Sequence, residues 1–453
     1  MRTESTLQEY FDFTPESSLK VVKEYREKYF AISELLDENA KIISLAHQEL
    51  SKNLATSTRG RESTYTSEQI VRSLIVMFIE GDSLREVVVR IDNSEFLRHF
   101  VRLGVKSMMD YSFLSKAHSA LSEATWRAIN EALAQYAKEQ GKISGDKLRM
   151  DTTAYETNIH YPTDSSLLWD SYRTLSRWLF KVQQELPELR LKHRYHTKKV
   201  KKLAFFIARN ASSKSKSKQR KIKSTYKTLI ERVRWVADRA KEVLALISQA
   251  GYEVPGLAGS LPTVEKILDQ SSKRVLEGVK VDSQDKVYSL FENHTELLKR
   301  GKAGKPIEFG HKIHLAQTGE KFIHHYEVLP KKREDIELLK PNLEAHKKLF
   351  KSGPKVVATD KGFYESMKQI AELEETIETV SICKKGRRNA DEAARESMET
   401  FKAGQSFRAG IEGSISVLKR AFKRARCLFK GFKNYASSVG CAIFCHNLVL
   451  LTR

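Results

Sequence analysis

The sequence predicts a predominantly helical α+β protein, and three observations carry that prediction. Apolar residues recur at helical spacing through residues 17–140 and again through 165–300. Short stretches rich in β-branched residues, within 147–160, 305–330 and 355–383, read as strands. Only 9 Pro and 21 Gly occur in 453 residues, with 40% hydrophobic and 9% aromatic residues, which excludes fibrous, linker-dominated and compositionally disordered chains. This length suits roughly two to four domains.

Within residues 17–140, SEQIVRSLIVMFIEG (67–81) and SEATWRAINEALAQYAKEQG (122–141) show the helical pattern most strongly, the second closed by Gly141. Between them run a GDS turn, the helix SLREVVVRI, an Asp-Asn-Ser break and a third helix opening at Ser94. That spacing suits a helix-turn-helix, although an ordinary helical bundle is the commoner explanation. The texture changes at Lys147, where LRMDTTAYETNIHY alternates as a half-buried strand and its continuation would, with Asp151 inside it. Residues 165–300 return to long helical patterns without strand texture.

Lys plus Arg number 79 against 57 Asp plus Glu, a net charge of +22, so the favoured partner is a polyanion, nucleic acid before an anionic membrane. The charge is concentrated: residues 190–234 hold 17 Lys or Arg, among them Lys198, Lys199, Lys201 and Lys202, and one acid, Glu231. A solvated basic helix pair would be the bland reading, but this density exceeds what solubility requires and favours phosphate contact. The interleaved Tyr195, Phe205, Phe206, Tyr226 and Trp235 are expected to pack the helices. Four Cys make no disulfide framework, which favours a reducing cytosol. The N-terminal MRTESTLQEYFDFTPESS has no signal-peptide pattern, and no uninterrupted apolar run of about 18 residues offers a membrane span. The expectation is a soluble intracellular protein.

Strand texture resumes in IEFGHKIHLAQT and KFIHHYEVL, followed by a helical piece around LEAHKKLF. KVVAT then reads as a buried strand ending on Asp360, with Lys361-Gly362 turning the chain into the helix YESMKQIAELEE. ETVSIC is a further short strand. After the loop KKGRRN comes a long helix-forming stretch in which Glu412 is the only acid beyond Glu399.

Carboxylates converging from different elements are what a hard divalent cation requires, and such cations serve phosphoryl transfer. An Asp at the carboxyl end of a buried strand sits where open α/β sheets place ligands, which raises Asp360 above Asp164, Asp170 and Glu365. Arg408, Glu412, Ile415 and Lys419 share one helix face, and Lys423 and Arg426 are expected to continue that stripe. By itself this would be an exposed basic helix. His311, His314, His324 and His325 lack the spacing of a zinc motif and read as structural or DNA-adjacent. Cys441, Cys445 and His446 suit a buried C-terminal helix better than a ligand cluster.

Three segments, MDTTAYETNIHYPTDSSLLWDSYR, ATDKGFY and RAGIEGSISVLKRAFKRARCLFKGF, resemble bacterial insertion-sequence transposases of the DDE class. In the third, Arg408, three residues, Glu412, six residues and Lys419 is similar to the signature around that family's catalytic glutamate. The resemblance extends over GKPIEFGHKIHLAQT and, more loosely, the helical N-terminal region. It implies a ribonuclease H-like mixed-sheet catalytic core over 141–164 and 301–453, interrupted by a basic helical insertion at 165–300 and preceded by a helical DNA-binding domain at 1–140. It further implies a triad of Asp151, Asp360 and Glu412 holding two Mg²⁺, with Mn²⁺ as an alternative, while Arg408 and Lys419 position phosphates.

The implied reaction is phosphoryl transfer: water attacks the phosphodiester at an element's end, and the freed 3′-hydroxyl then attacks target DNA. The implied partners are double-stranded DNA, as inverted-repeat ends and as target, and a second copy of the chain on DNA. No membrane is implied; the location is the bacterial cytoplasm, at the nucleoid. One departure is Gln405, where members of the wider group often carry Tyr. A non-catalytic DNA-binding regulator derived from a transposase and a metal-dependent nuclease that only cleaves are the competing readings.

Overall fold

The computed structural model describes residues 2–6, 11–12, 14–54, 63–189, 191, 193–299, 306–421 and 425–453. They form two compact units, one of residues 1–156 with 311–453 and one of residues 157–310. The class is α+β and predominantly helical, as predicted.

The first unit begins with seven helices, α1 (Lys20–Glu38), α2 (Lys41–Asn53), α3 (Ser67–Glu80), α4 (Leu84–Asp92), α5 (Glu95–Val101), α6 (Tyr111–Ala120) and α7 (Glu123–Glu139). Capping explains several starts. Thr66 and Ser83 form capping boxes with Gln69 and Glu86, and Ser94 and Ser122 accept from the third backbone N–H of α5 and α7. α3 is buried on nearly every side, so its polar residues need partners. Arg72 bonds Glu68 at 2.9 Å and Asp37 at 2.8 Å, and Arg102 closes the network with 2.6 Å bonds to both acids.

Strand β1 (Lys147–Thr157) leads into the second unit, whose helices are α8 (Asp164–Glu185), α9 (Thr197–Asn210), α10 (Lys216–Gln249) and α11 (Pro255–Ser271). They share an apolar core to which α9 gives Val200, Ala204 and Ile207, and α10 gives Leu229, Val233, Val236, Ala240, Val243 and Ile247. Contrary to the expected absence of strands here, β2 (Glu296–Lys299) pairs antiparallel with residues 307–310 of β3 (Ile307–Thr318). Four residues reading ELLK carry too little alternation to announce a strand.

The rest of β3 lies in the first unit with β4 (Ile323–Val328), α12 (Ile336–Phe350), β5 (Val356–Thr359), α13 (Met367–Glu374), β6 (Thr379–Ile382), α14 (Ala390–Ser397), α15 (Glu399–Ser416), β7 (Arg426–Cys427) and α16 (Phe432–Leu451). The strands there lie in the order β4-β3-β1-β5-β6, with β7 on β1. β3 and β4 are antiparallel, whereas β1, β5 and β6 are parallel, giving the mixed sheet of a ribonuclease H-like core. Leu148, Met150, Val357, Val380 and Ile382 build one core with α12 and α13, while Tyr155, Ile313, Leu315, Ile411, Tyr435 and Val439 build another against α15 and α16.

Several expected details differ. The chain does not pass directly from Asp360 into a helix: residues 361–363 make a 3₁₀ turn, and α13 starts only at Met367, capped by Ser366. The late helical stretch breaks at Met398 and again after Ser416, where residues 417–421 widen into a π-turn. Helical periodicity therefore ends there. Arg426 lies in β7 and meets Glu156 at 3.4 Å, so it does not extend the stripe of Arg408 and Glu412; Lys423 is outside the described residues.

α16 is long and apolar enough to cross a membrane by length and composition, yet 78% of that stretch is buried in protein. Its Cys441, Phe444, Cys445 and Leu448 enter the core of α1–α7. The thiols of Cys441 and Cys445 are buried, and burial holds His446 at about 4. His314 and His325 are likewise held neutral by burial, at about 3 and about 4, and His311 donates from Nδ1 to the Leu329 carbonyl at 3.0 Å.

Candidate active site

The register of the parallel strands brings two acids together. Arg149 of β1 faces Ala358 of β5, and continuing that pairing two residues sets Asp151, in the middle of β1, beside Asp360, which follows the last residue of β5. Both carboxylates are fixed by local backbone. Asp151 Oδ1 accepts the Thr152 N–H at 2.7 Å, and Asp360 Oδ1 accepts the Gly362 N–H at 2.9 Å, capping the turn whose Phe363 is buried.

Helix α15 supplies the third acid. Ile411 anchors it in the core, Gly404 packs on Ser381, and the Gln405 amide donates to the Ser381 carbonyl at 2.6 Å and the Thr359 carbonyl at 3.2 Å. Gln405 thus ties the helix to β6 and to the residue before Asp360. This is what the residue at the departing position does in this chain. One turn later Arg408 bridges two acids, 3.6 Å from Asp151 and 3.2 Å from Glu412. Glu412 is 64% exposed and Asp151 only 16%.

Burial pushes the Asp151 carboxyl up to about 6, and the negative charges of Asp360 and Glu412 push the same way against the Thr152 hydrogen bond and Arg408. Both other expected acids therefore act electrostatically on Asp151. Among the described residues, however, no three His, Cys, Asp or Glu side chains are gathered closely enough to hold an ion as they stand. Donor chemistry still fits a hard divalent cation: every candidate ligand is an oxygen, and burial, together with two nearby carboxylates, holds one carboxyl high.

A pH dependence follows. Below the ordinary 3.8 both folded and unfolded chains hold the Asp151 proton; between 3.8 and about 6 only the folded chain does, so stability falls as pH rises through that window. Above it the cost is about 3 kcal/mol. In chelator, Asp151→Asn is expected to raise the urea-unfolding free energy near neutral pH by a few kcal/mol and to flatten its slope across the window. An unchanged slope would remove Asp151 as its source.

Of the other expected residues, Lys419 lies in the π-turn after α15. Lys198, Lys199, Lys201 and Lys202 stand exposed on α9 in the second unit, joined by Arg209, and none has an ion-pair partner among the described residues. Lys198, Lys201, Lys202 and Arg209 line an open cleft with Phe205, Phe206 and Asn210. Tyr195 and Tyr226 pack against the helical core as expected, whereas Phe205 is 48% exposed, with Lys201 Nζ 5.4 Å from its ring, and Trp235 is also exposed, which corrects the expectation for those two rings. Val200, Ala204 and Ile207 claim the apolar stripe of α9, leaving Phe205 on the lysine face. Asp164 and Asp170 are internal to the second unit, paired with Arg274 at 2.9 Å and Arg173 at 3.0 Å.

Sequence reasoning missed Arg149, Gln317 and Ser414. Arg149 donates to Gln317 Oε1 and to the Phe407 carbonyl, both at 2.7 Å, and Gln317 donates to Ser414 Oγ at 2.7 Å. The available signal was an Arg between Leu148 and Met150 in a strand, and a Gln closing the apolar run of β3.

The family model for the transposase DDE domain matches residues 281–448. The match includes Asp360, Arg408, Glu412 and Lys419, begins after Asp151 and α9, and supports a DDE-type transposase. No curated protein and no solved structure matches the chain.

Proposed function

We propose that the chain is a DNA transposase that binds the inverted-repeat ends of an insertion sequence and catalyses divalent-metal-dependent cleavage and strand transfer. The observation that carries this reading is the nearness of Asp360, just beyond the end of β5, to Asp151 on the neighbouring strand β1, with Glu412 near enough to raise the same carboxyl. Asp151, Asp360 and Glu412 would hold the ions, Mg²⁺ or Mn²⁺. When bound, such ions supply Lewis acidity toward the nucleophile and the leaving oxygen of a phosphodiester.

The chain's own residues supply the rest. Arg408 sits between Asp151 and Glu412, where it can pass to a phosphate as the acids take up cations, and Lys419 follows α15 as a second phosphate contact. The exposed lysines of α9 hold duplex backbone. The helices of residues 1–140 recognise the repeat, and two protomers meet on DNA so that both ends are cut together.

The test is a duplex carrying the element's end, incubated with the full chain in Mg²⁺ or chelator. Metal-dependent cutting followed by joining to target DNA is expected. Cutting without joining would make the protein a nuclease, and tight binding with neither would make it a DNA-binding regulator.

A further inference from the structure

Arg149 lies two residues before Asp151 on the same face of β1, is 3% exposed, and has no ion-pair partner among the described residues. Burying a guanidinium without a counter-charge is expensive, and such a group persists where its fixed donors do something a neutral side chain cannot. Two of its donors reach α15, one directly and one through Gln317 of β3, while NH2 is buried without a hydrogen-bond partner among the described residues. NH1 bonds the Phe407 carbonyl at 2.7 Å, the guanidinium lies 4.7 Å from the Phe407 ring centre, and Nε bonds Gln317, which in turn holds Ser414. Between those two attachments Gly410 faces the guanidinium so closely that a Cβ there would stand 2.1 Å from NH1.

Positions 407, 410 and 414 form one face of the helix, and the last two bracket Glu412. A carboxylate on an exposed turn cannot set its own direction, and Glu412 is 64% exposed, its hydrogen bond among the described residues coming from Arg408, a neighbour on the same helix. The rotation of α15 about its axis decides where Glu412 points. That rotation is held by polar bonds from β1 and β3, beside those that Gln405 makes to β5 and β6.

We propose that Arg149 is a positioning residue, which through the Phe407 carbonyl, Gln317 and Ser414 fixes the turn of α15 so that Glu412 reaches a divalent cation shared with Asp151 and Asp360. The inference rests on the reading of these three acids as cation ligands.

The experiment is a Mn²⁺ titration of the full chain, followed by the electron paramagnetic resonance of the free ion, with melting temperatures recorded alongside. Arg149→Lys keeps the charge but loses the fork, and is expected to weaken Mn²⁺ binding about tenfold. In a Glu412→Gln background it is expected to weaken it no further, because Arg149 acts through Glu412. A merely structural role would lower the melting temperature in both backgrounds and leave the affinity losses additive, which would overturn the proposal.

Gly410→Ala reaches the contact from the helix side, by pushing NH1 off the Phe407 carbonyl. It is expected to reproduce the loss and the same dependence on Glu412, and it decides the matter if Arg149→Lys does not fold. Should the wild type bind no Mn²⁺ that Asp151→Asn or Asp360→Asn removes, the reading of the acids falls and takes the proposal with it. Should that binding be present but indifferent to Arg149→Lys and Gly410→Ala, the proposal alone falls.

Discussion

Asp360→Asn is expected to slow metal-dependent cleavage of an end-bearing duplex by about three orders of magnitude or more, with DNA affinity nearly unchanged. Asn keeps an oxygen at Oδ1 to accept the Gly362 N–H, so the turn through buried Phe363 survives. What disappears is the negative charge beside Asp151. If a cation there contributes several kcal/mol to the transition state, losing one of its ligands costs on that scale, and each 1.4 kcal/mol is about tenfold in rate. Cleavage and joining should fall together, because one set of acids serves both. A variant that cuts at the wild-type rate would remove Asp360 from the site, and one that binds DNA poorly would place the defect in folding or docking.

The second large effect is expected on DNA binding. Replacing Lys198, Lys201, Lys202 and Arg209 together by Ala should leave the fold intact, since all four are exposed and Ala is the best helix former. If each neutralises a phosphate, the slope of log affinity against log salt should lose about 3.6 of its magnitude, at roughly 0.9 per phosphate. Weakening should be similar on end-bearing and unrelated duplexes, because backbone contacts carry no sequence information. A slope unchanged by the quadruple substitution would assign the charge of α9 to solvation and move the DNA surface elsewhere. A Phe205→Ala variant belongs in the same series, its ring being exposed among those lysines.

How far the sequence could be read depended on whether the information was periodic. β5 and its terminal Asp360 were visible because a β-branched run stops on an acid and a Lys-Gly turn. Arg408 and Glu412 were visible because helical spacing places them one turn apart, and the structure pairs them at 3.2 Å. Arg426 failed for the complementary reason: the π-turn at 417–421 ends the periodicity from which its position was extrapolated. β2 escaped notice because its partner, residues 307–310, lies outside its own short segment.

The links that hold α15 were invisible for a deeper reason. Arg149, Gln317, Ser381, Gln405 and Ser414 come from strands and helix turns up to 265 positions apart, and polar residues in apolar runs announce burial without naming a partner. Only the three-dimensional arrangement supplies the partner. The family resemblance proposed the acids but gave no account of Gln405, whose amide meets backbone carbonyls of two strands.

The placement of α16 bears on how the polypeptide is made. Helices α3 and α7 pack against it, and Asn130 on α7 donates to the Gly440 carbonyl at 3.1 Å, across some three hundred positions of chain. A ribosome that has released residues 1–140 has therefore produced a cluster of helices with an open apolar trough. The trough stays unfilled through synthesis of the second unit and of both strands that carry acids. Long-range closure of this kind is slow and leaves apolar surface exposed meanwhile. Products terminated before residue 432 would lack the filling helix altogether and leave the apolar faces of the N-terminal helices in water.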